Sequence, residues 1–154
     1  MEFITDLSVK ELEDRFEAVG VERWRAKPVL QWVHRRGAQT FEEMTDLSKE
    51  LRAELPKHFG VYRTQVVETR PSPDGTIKYL VRLSDGDVIE TVMIPEDGRR
   101  TVCVSTQVGC PIRCVFCASG LNGLKRNLET SEIVEQILHA KRGLPPEERI
   151  SSVV

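Results

Sequence analysis

All four cysteines of this 154-residue chain lie in one stretch, TVCVSTQVGCPIRCVFCASG, between residues 101 and 120. Cys110, Cys114 and Cys117 are separated by gaps of three and two residues. Thiolates this close on one loop can hold three irons of a 4Fe-4S cluster, and the fourth iron is then left open for a small molecule. Phe116, just before the third cysteine, would supply an apolar neighbour that shields the cluster.

The same residues admit other interpretations. A structural zinc site usually combines one close pair of cysteines with a second pair farther along the chain, whereas these gaps are uneven and fall on one loop. Cys114 and Cys117 alone could form a redox dithiol, but that leaves Cys110 without a role. Four unrelated buried thiols are the third alternative, which the crowding disfavours. The spacing therefore favours the iron–sulfur cluster.

Composition restricts the class of protein. With 40% hydrophobic and 30% charged residues and a net charge of -2, we expect a globular chain without an overall basic field for nucleic acid. No apolar run is long enough to cross a bilayer, and the acidic start MEFITDLSVKELED lacks the pattern of a secretory signal. These features favour a cytoplasmic protein, in which the cysteines stay reduced.

The first sixty residues carry helical patterns, and we expect a compact bundle of short helices there. Capping boxes begin at Ser8 and Thr40, each with a glutamate three residues later. Helices are predicted over residues 25–36, which Gly37 would end, and over about 48–58, where Pro56 favours an early end.

The pattern changes to strands near residue 61. Turn sequences such as Asp85-Gly86 separate them and predict antiparallel hairpins. A helix over about 131–142 then precedes a last strand, which should pair in parallel. The predicted strands are 64–69, 76–83, 88–94, 101–105 and 149–154, and the apolar face of the helix comprises Ile133, Val134, Ile137 and Leu138.

The cysteine pattern, with Phe116 before the last cysteine, resembles the signature of radical S-adenosylmethionine enzymes. The longer string CVSTQVGCPIRCVFCASGLNGLKRNLETSEIVEQI is similar to the RlmN and Cfr family of RNA adenine methyltransferases. Further resemblance lies in VKELEDRFEAVGVERWRAKPVLQWVHRRG, FEEMTDLSKELRAEL and VIETVMIPEDGRRTVCVSTQVGC. RISSVV resembles the strand that leads, in the family, into a Gly-Glu-Pro motif.

The resemblance implies an α/β fold in three parts. Residues 1–60 would form a small helical RNA-binding accessory domain, and residues 61–100 an antiparallel β-hairpin connecting region. Residues 101–154 would begin a radical-SAM (β/α) barrel that is incomplete in this chain.

The resemblance also implies the chemistry. Cys110, Cys114 and Cys117 match the cluster ligands, and the open iron would bind S-adenosyl-L-methionine, whose reductive cleavage gives a 5′-deoxyadenosyl radical. That radical would attack a methyl group carried by a C-terminal cysteine, and the resulting methylene radical would add to an adenine ring carbon to give a covalent protein–RNA adduct.

Two residues match later steps of that reaction. Cys103 matches the thiol that forms a disulfide with the C-terminal cysteine and so releases the product; a small buried residue on a strand is the alternative. Glu90 matches the acceptor of the ring proton, and we expect apolar neighbours to suit it to that role. A solvent-facing strand residue is the alternative for Glu90.

The implied partners are 23S rRNA and tRNA, together with an electron donor such as a flavodoxin, and we expect a monomer. A target adenine must leave its stack, so the protein has to grip RNA by shape and backbone. Basic side chains near Trp24 and Trp32 suit that task, although a tryptophan core with solvated arginines is the alternative. The candidate RNA contacts are Arg23, Arg25, Lys27, Arg35 and Arg36.

Several family features lie outside these 154 residues, including the Gly-Glu-Pro motif, the later barrel strands and the methyl-carrying cysteine. We therefore expect an RlmN-type parent enzyme that methylates adenine C2, and we expect the 154-residue chain to be inactive alone. A Cfr-type enzyme that methylates C8 is one alternative. A truncated, non-catalytic module that binds RNA or a cluster is another.

Overall fold

The computed structural model describes all 154 residues, which form two compact units, Met1–Arg63 and Thr64–Val154. The first unit is mainly helical, and the second combines strands with one long helix, so the fold is mixed α/β as expected. The finer division at residues 60 and 100 stays a prediction. No helix combines the length and the apolar character that a membrane crossing requires.

Three α-helices dominate the Met1–Arg63 unit: α1 (Val9–Ala18), α2 (Ala26–Arg36) and α3 (Lys49–Glu54). Strands β1 (Glu2–Phe3) and β2 (Phe59–Gly60) pair in parallel. Helix α3 ends before the predicted residue 58 because Pro56 has no N–H to donate, and the chain continues as a short 3-10 helix. The 3-10 helices of this unit are Ile4–Asp6, Arg23–Arg25, Phe41–Glu43 and Leu55–Lys57.

The predicted start of α1 at Ser8 and the predicted end of α2 at Gly37 are confirmed. The Ser8 hydroxyl accepts the Glu11 N–H at 3.3 Å, and the Glu11 carboxylate accepts the Ser8 N–H at 2.9 Å, which satisfies two N–H groups that the helix leaves open. Thr40 makes the same kind of box, but it begins a 3-10 helix. Gly37 ends α2 with a φ of 70°, a left-handed conformation that favours glycine.

A five-stranded sheet forms the centre of the Thr64–Val154 unit, in the order β3-β4-β5-β6-β9. The first four strands pair antiparallel, and β9 pairs in parallel with β6, as the sequence predicts. Asp85-Gly86 forms the turn of the β4–β5 hairpin, where Gly86 has a φ of 91°. The strands are β3 (Gln65–Pro71), β4 (Ile77–Arg82), β5 (Val88–Glu96), β6 (Arg99–Cys103), β7 (Gln107–Gly109), β8 (Leu124–Asn127) and β9 (Ser152–Val153).

Helix α4 (Thr130–Arg142) packs on one face of this sheet, and its orientation differs from the prediction. Of the expected apolar face, only Leu138 is fully buried, while Ile133, Val134 and Ile137 are half-buried. The side chains that α4 buries most completely include polar ones, and all of these except the Ser131 hydroxyl have a polar partner within the unit. These buried polar residues are Ser131, Glu132, Glu135, Gln136 and His139.

Burial of the ionisable His139 side chain makes the stability of this unit depend on pH. Its Nε2 atom lies 3.0 Å from the Thr64 hydroxyl. Burial, together with the nearby Arg142 charge, lowers the pKa of His139 from its usual 6.5 to about 4. Between pH 6.5 and about 4, His139 is protonated in the unfolded chain but neutral in the folded unit, so a fall in pH favours unfolding in this range.

We therefore predict that the Thr64–Val154 unit loses on the order of 3 kcal/mol of stability as the pH falls from about 6.5 to about 4. Calorimetric unfolding across that range measures the loss. His139→Gln should flatten the pH dependence, whereas His34→Gln, a histidine of the other unit, should leave it unchanged. An equal change of unfolding free energy with pH in the wild-type and His139→Gln chains would contradict this explanation.

Candidate functional site

The two faces of the five-stranded sheet differ. On β5, Ile89, Thr91 and Met93 are buried on the side of α4, while Val88 and Glu90 are exposed on the opposite side. Successive side chains of a strand alternate between faces, so β5 separates the core from a surface that α4 does not cover. We call that second surface, which carries the Glu90 side chain, the open face.

Glu90 and Cys103 lie together on the open face. Val92 of β5 pairs directly with Cys103 of β6, and Glu90 is the next residue of β5 on the same face. Such diagonal neighbours lie roughly 7–8 Å apart. Both side chains are exposed, and the Lys78 ammonium lies 3.1 Å from Glu90 Oε1.

The surroundings of Glu90 differ from those expected. Its side chain is 57% exposed and ion-paired with Lys78, so the expected apolar environment is wrong for this arrangement. Cys103 is an exposed free thiol, and the alternative of a small buried residue is therefore also wrong. The proposed roles of both residues stay predictions.

A cleft of about 800 Å³ adjoins the start of β5. Glu90 and Cys110 both line it, so the structure brings the candidate proton acceptor and the first candidate cluster ligand to one cavity. Ser105 lines the same cleft from the segment after β6. Cys103 does not line the cleft, although it shares the open face with Glu90.

The other three cysteines lie on the loop of a small hairpin. Strands β7 and β8 pair antiparallel, and residues 110–123 connect them; we call this segment the cysteine loop. The sequence placed the cysteines on one loop between the strand at 101–105 and the helix at about 131–142, and it did not predict this hairpin. The loop closes on itself, since the Cys110 N–H donates to the Gly123 carbonyl at 3.2 Å. A Cβ on Gly109 would collide with that same carbonyl.

The cysteine loop matches a 4Fe-4S cluster in the chemistry of its donors. Cys110, Cys114 and Cys117 are all free and half-buried, and thiolate sulfur is the usual ligand of such clusters. Hydrogen bonds from Ser119 lower the pKa of Cys117, which favours the thiolate form. The three side chains do not converge on one point in this conformation, so a cluster would have to draw them together.

The tip of the cysteine loop is apolar and exposed. Phe116 is 89% exposed and Val115 is 100% exposed. Phe116 therefore shields nothing in this arrangement, and its expected contact with a cluster stays a prediction.

Ion pairs anchor the hairpin that carries the cysteine loop. Arg126 of β8 holds the Glu132 carboxylate with two hydrogen bonds of 2.8 and 2.9 Å, and its Nε donates to Asp85 at 2.8 Å. Glu132 is only 1% exposed. Lys125 pairs with Asp87 at 2.8 Å. These two cations tie β8 to α4 and to the β4–β5 turn.

Two of the candidate RNA contacts are engaged with acidic neighbours. Arg23 pairs with Asp14 at 2.8 Å and with Glu17 at 2.7 Å. Arg25 forms an ion pair with Glu22. Because these carboxylates neutralise the two arginines locally, their contribution to an RNA-binding surface is weaker than their sequence pattern indicates.

Helix α2 offers a better basic surface. The Arg36 guanidinium lies 4.0 Å from the centre of the Trp32 ring, which is a cation–π contact. Trp24 is 62% exposed, so a bundle core does not account for it. Lys27 and Arg35 are also exposed on α2.

Sequence reasoning missed three polar residues behind the site: Thr91 and Gln136, which are buried, and Ser105, which is half-buried. Gln136 belongs to the helix for which the sequence predicted one apolar face, and its position directly before Ile137 of that face was the available signal. Its partners lie far away in sequence, so no local pattern could identify them.

The Arg126 anchor gives a testable prediction. Arg126→Met should destabilise the Thr64–Val154 unit by about 3–5 kcal/mol, because it leaves the buried Glu132 charge without its partner. Urea unfolding followed by circular dichroism measures the change. The control is Arg99→Met, which removes an exposed ion pair with Glu96 and should change stability by less than about 0.5 kcal/mol. An equal loss of stability in the two variants would contradict the anchoring role of Arg126.

Comparisons with known proteins identify relatives of this chain. Residues 4–61 match the model of the ribosomal RNA large subunit methyltransferase N-terminal domain. The chain is 44% identical over 154 residues to a probable dual-specificity RNA methyltransferase RlmN of Aquifex aeolicus, covering 100% of this chain and 44% of that protein. It is 46% identical over 147 residues to a protein of the same description from Rhodopirellula baltica, covering 96% of this chain and 40% of the relative.

A solved structure extends the comparison to the fold. The crystal structure of a radical SAM methyltransferase from Sphaerobacter thermophilus matches with a TM-score of 0.85 and 43% sequence identity, covering 92% of this chain and 42% of that chain. The chain thus spans less than half the length of these relatives. The similarity runs through both units and includes the cysteine loop, and the chain belongs to the RlmN family.

Proposed function

We propose that this chain is part of a radical SAM RNA methyltransferase that methylates C2 of adenine in 23S rRNA and tRNA. The observation that carries the proposal is the meeting of Glu90 and Cys110 at one cleft, in a chain 44% identical to an RlmN protein over its whole length. The relatives are described as dual-specificity RNA methyltransferases, which supports two RNA substrates.

Cys110, Cys114 and Cys117 would hold the cluster as thiolates. When bound, the 4Fe-4S cluster supplies the site for S-adenosyl-L-methionine and the electron that cleaves it. The hydrogen bonds from Ser119 favour the thiolate form of Cys117. Cys110 lines the cleft, which would receive the cofactor and the extruded adenine.

Glu90 would take the ring proton of the RNA adduct. In the proposed reaction, the adenine becomes bonded through a methylene group to the sulfur of a cysteine outside these 154 residues. Because a methylene radical forms this bond, the adduct carries one unpaired electron. Glu90 removes the proton from the substituted ring carbon, and the electron pair of that C–H bond stays in the ring. The one surplus electron then passes to a one-electron acceptor, such as an oxidised flavodoxin-like protein, which leaves a closed-shell adduct. The Lys78 ion pair would orient the carboxylate.

Cys103 would release the product. Its thiolate attacks the adduct sulfur, so a disulfide forms while the carbon–sulfur bond breaks, and the freed carbon takes up a proton to become a methyl group. An exposed, unbridged thiol diagonal to Glu90 is suited to this step. We further propose that a flavodoxin-like protein donates the electron and that the enzyme acts as a cytoplasmic monomer.

The first test uses the full-length protein that contains this chain. Cys110→Ala should abolish methylation, because the cluster loses one ligand, while RNA binding stays within about twofold of wild type, a change of less than about 0.5 kcal/mol. Chromatography and mass spectrometry of digested RNA should show 2-methyladenosine from the wild type. Methylation by Cys110→Ala would contradict the cluster assignment, and 8-methyladenosine would indicate a Cfr-type enzyme.

The second test concerns RNA binding by helix α2. Replacing Arg35 and Arg36 with glutamine should weaken RNA binding and reduce its salt dependence, because up to two phosphate contacts are lost and the slope against log salt falls by about 1–2. Filter binding at several salt concentrations measures both quantities. The control, Arg15→Gln, removes a surface arginine paired with Glu2 and should change neither. Unchanged binding by the double variant would exclude this surface.

A further inference from the structure

Gln136 is a buried amide whose hydrogen bonds are all made within the Thr64–Val154 unit. Its side chain is 0% exposed. Oε1 accepts from Thr91 Oγ1 at 2.7 Å and from the Ser105 N–H at 2.8 Å. Nε2 donates to the Ser105 carbonyl at 2.9 Å and to the Glu132 carbonyl at 3.0 Å. A carboxamide offers two acceptor and two donor positions, so the group is fully satisfied.

Ser105 connects this amide to the candidate site. Gln136 holds the backbone of Ser105 by both its N–H and its carbonyl. The Ser105 hydroxyl in turn donates to the Glu90 carbonyl at 2.7 Å. Ser105 and Glu90 both line the cleft. A continuous chain of hydrogen bonds therefore leads from the core amide through Ser105 to the backbone of Glu90.

Thr91 occupies one acceptor position of the amide. It is the next residue of β5 after Glu90, it points to the side of α4, and its side chain is 0% exposed. The other three hydrogen bonds of the amide, from the Ser105 N–H and to the Ser105 and Glu132 carbonyls, are enough to hold it in one orientation without Thr91. That orientation places its remaining acceptor and one donor on Ser105.

We propose that Gln136 is a positioning residue that acts through Ser105 to fix Glu90 at the cleft. The inference rests on the function proposed above, in which Glu90 takes the ring proton from the covalent RNA adduct. Small displacements of a reacting group, of about 1 Å, can cost about 100-fold in rate. Loss of the Gln136–Ser105–Glu90 connection should therefore slow proton removal selectively.

The experiment uses the full-length protein and three variants. Ser105→Ala removes only the hydroxyl that reaches Glu90, and Gln136→Met replaces the amide with an apolar chain of similar length. Thr91→Val is the matched control, since it removes one hydrogen bond from the same amide and leaves the Ser105 connection in place. Iron content and RNA affinity of each variant establish that the protein is folded and loaded.

Ser105→Ala and Gln136→Met should lower kcat by about 10- to 100-fold with little change in KM for RNA. The covalent protein–RNA adduct, seen as a shifted band on a denaturing gel, should accumulate in both. Thr91→Val should lower thermal stability without accumulating the adduct. Amide hydrogen exchange, which does not depend on activity, should speed up at Ser105 in Gln136→Met but not in Thr91→Val.

These outcomes separate the inference from the proposed function. If the wild-type protein methylates no RNA, the proposed function fails, and unchanged exchange at Ser105 in Gln136→Met would then overturn the positioning role as well. If the wild type is active, a normal kcat and no adduct in Ser105→Ala overturn the inference. Equal loss of activity in Ser105→Ala and Thr91→Val, without adduct, also overturns it. Should Gln136→Met fail to fold, Ser105→Ala decides alone.

Discussion

The polar side chains that helix α4 buries against the sheet constrain the rest of the Thr64–Val154 unit. Burial removes these groups from water, so each needs a partner inside the protein. Glu132 binds Arg126 of β8, Glu135 accepts the Thr64 N–H at 2.7 Å, and Gln136 binds Thr91 and Ser105. One helix thus fixes the positions of three segments: the hairpin that carries the cysteine loop, the start of β3 and the segment after β6. Apolar contacts alone would permit small sliding movements that these directional contacts resist.

The position of α4 also determines where chemistry can occur. Because the helix covers one face of the sheet, alternation places Glu90 and Cys103 together on the open face. The cysteine loop is attached to α4 through β8, so Cys110 reaches the cleft that Glu90 lines. The candidate site is therefore assembled from strand, loop and hairpin. The contacts that hold these parts in place come from α4, on the opposite face of the sheet. This separation is suited to a reaction that needs an accessible surface and precise placement.

Local sequence rules predicted the local structure well. The Ser8 capping box, the Gly37 helix end and the Asp85-Gly86 turn each depend on residues close together in the chain. The cysteine spacing likewise pointed to a cluster site, because its members share one loop. Family resemblance was needed to select Glu90, whose residue type and strand position carry no distinctive signal.

Features that depend on distant partners could not be predicted. Apolar periodicity favoured Ile133 and Val134 as the buried face of α4, but the contacts of Glu132 and Gln136 decided its orientation instead. The sequence indicated Arg23 as an RNA contact. It did not show that two carboxylates of α1, Asp14 and Glu17, pair with this arginine, because they are not adjacent to it in the chain. Charge pattern shows which residues can form ion pairs, whereas the fold determines which pairs form.

The central claim is that Cys110, Cys114 and Cys117 together hold one cluster beside the Glu90 cleft. Anaerobic reconstitution of the chain with iron and sulfide, followed by metal analysis and electron paramagnetic resonance after reduction, tests it most directly. We predict about four irons and four sulfides per chain, as expected for a 4Fe-4S cluster, and loss of both signals in Cys114→Ala. Tight binding of a single zinc ion, or equal iron incorporation by Cys114→Ala and wild type, would contradict the claim.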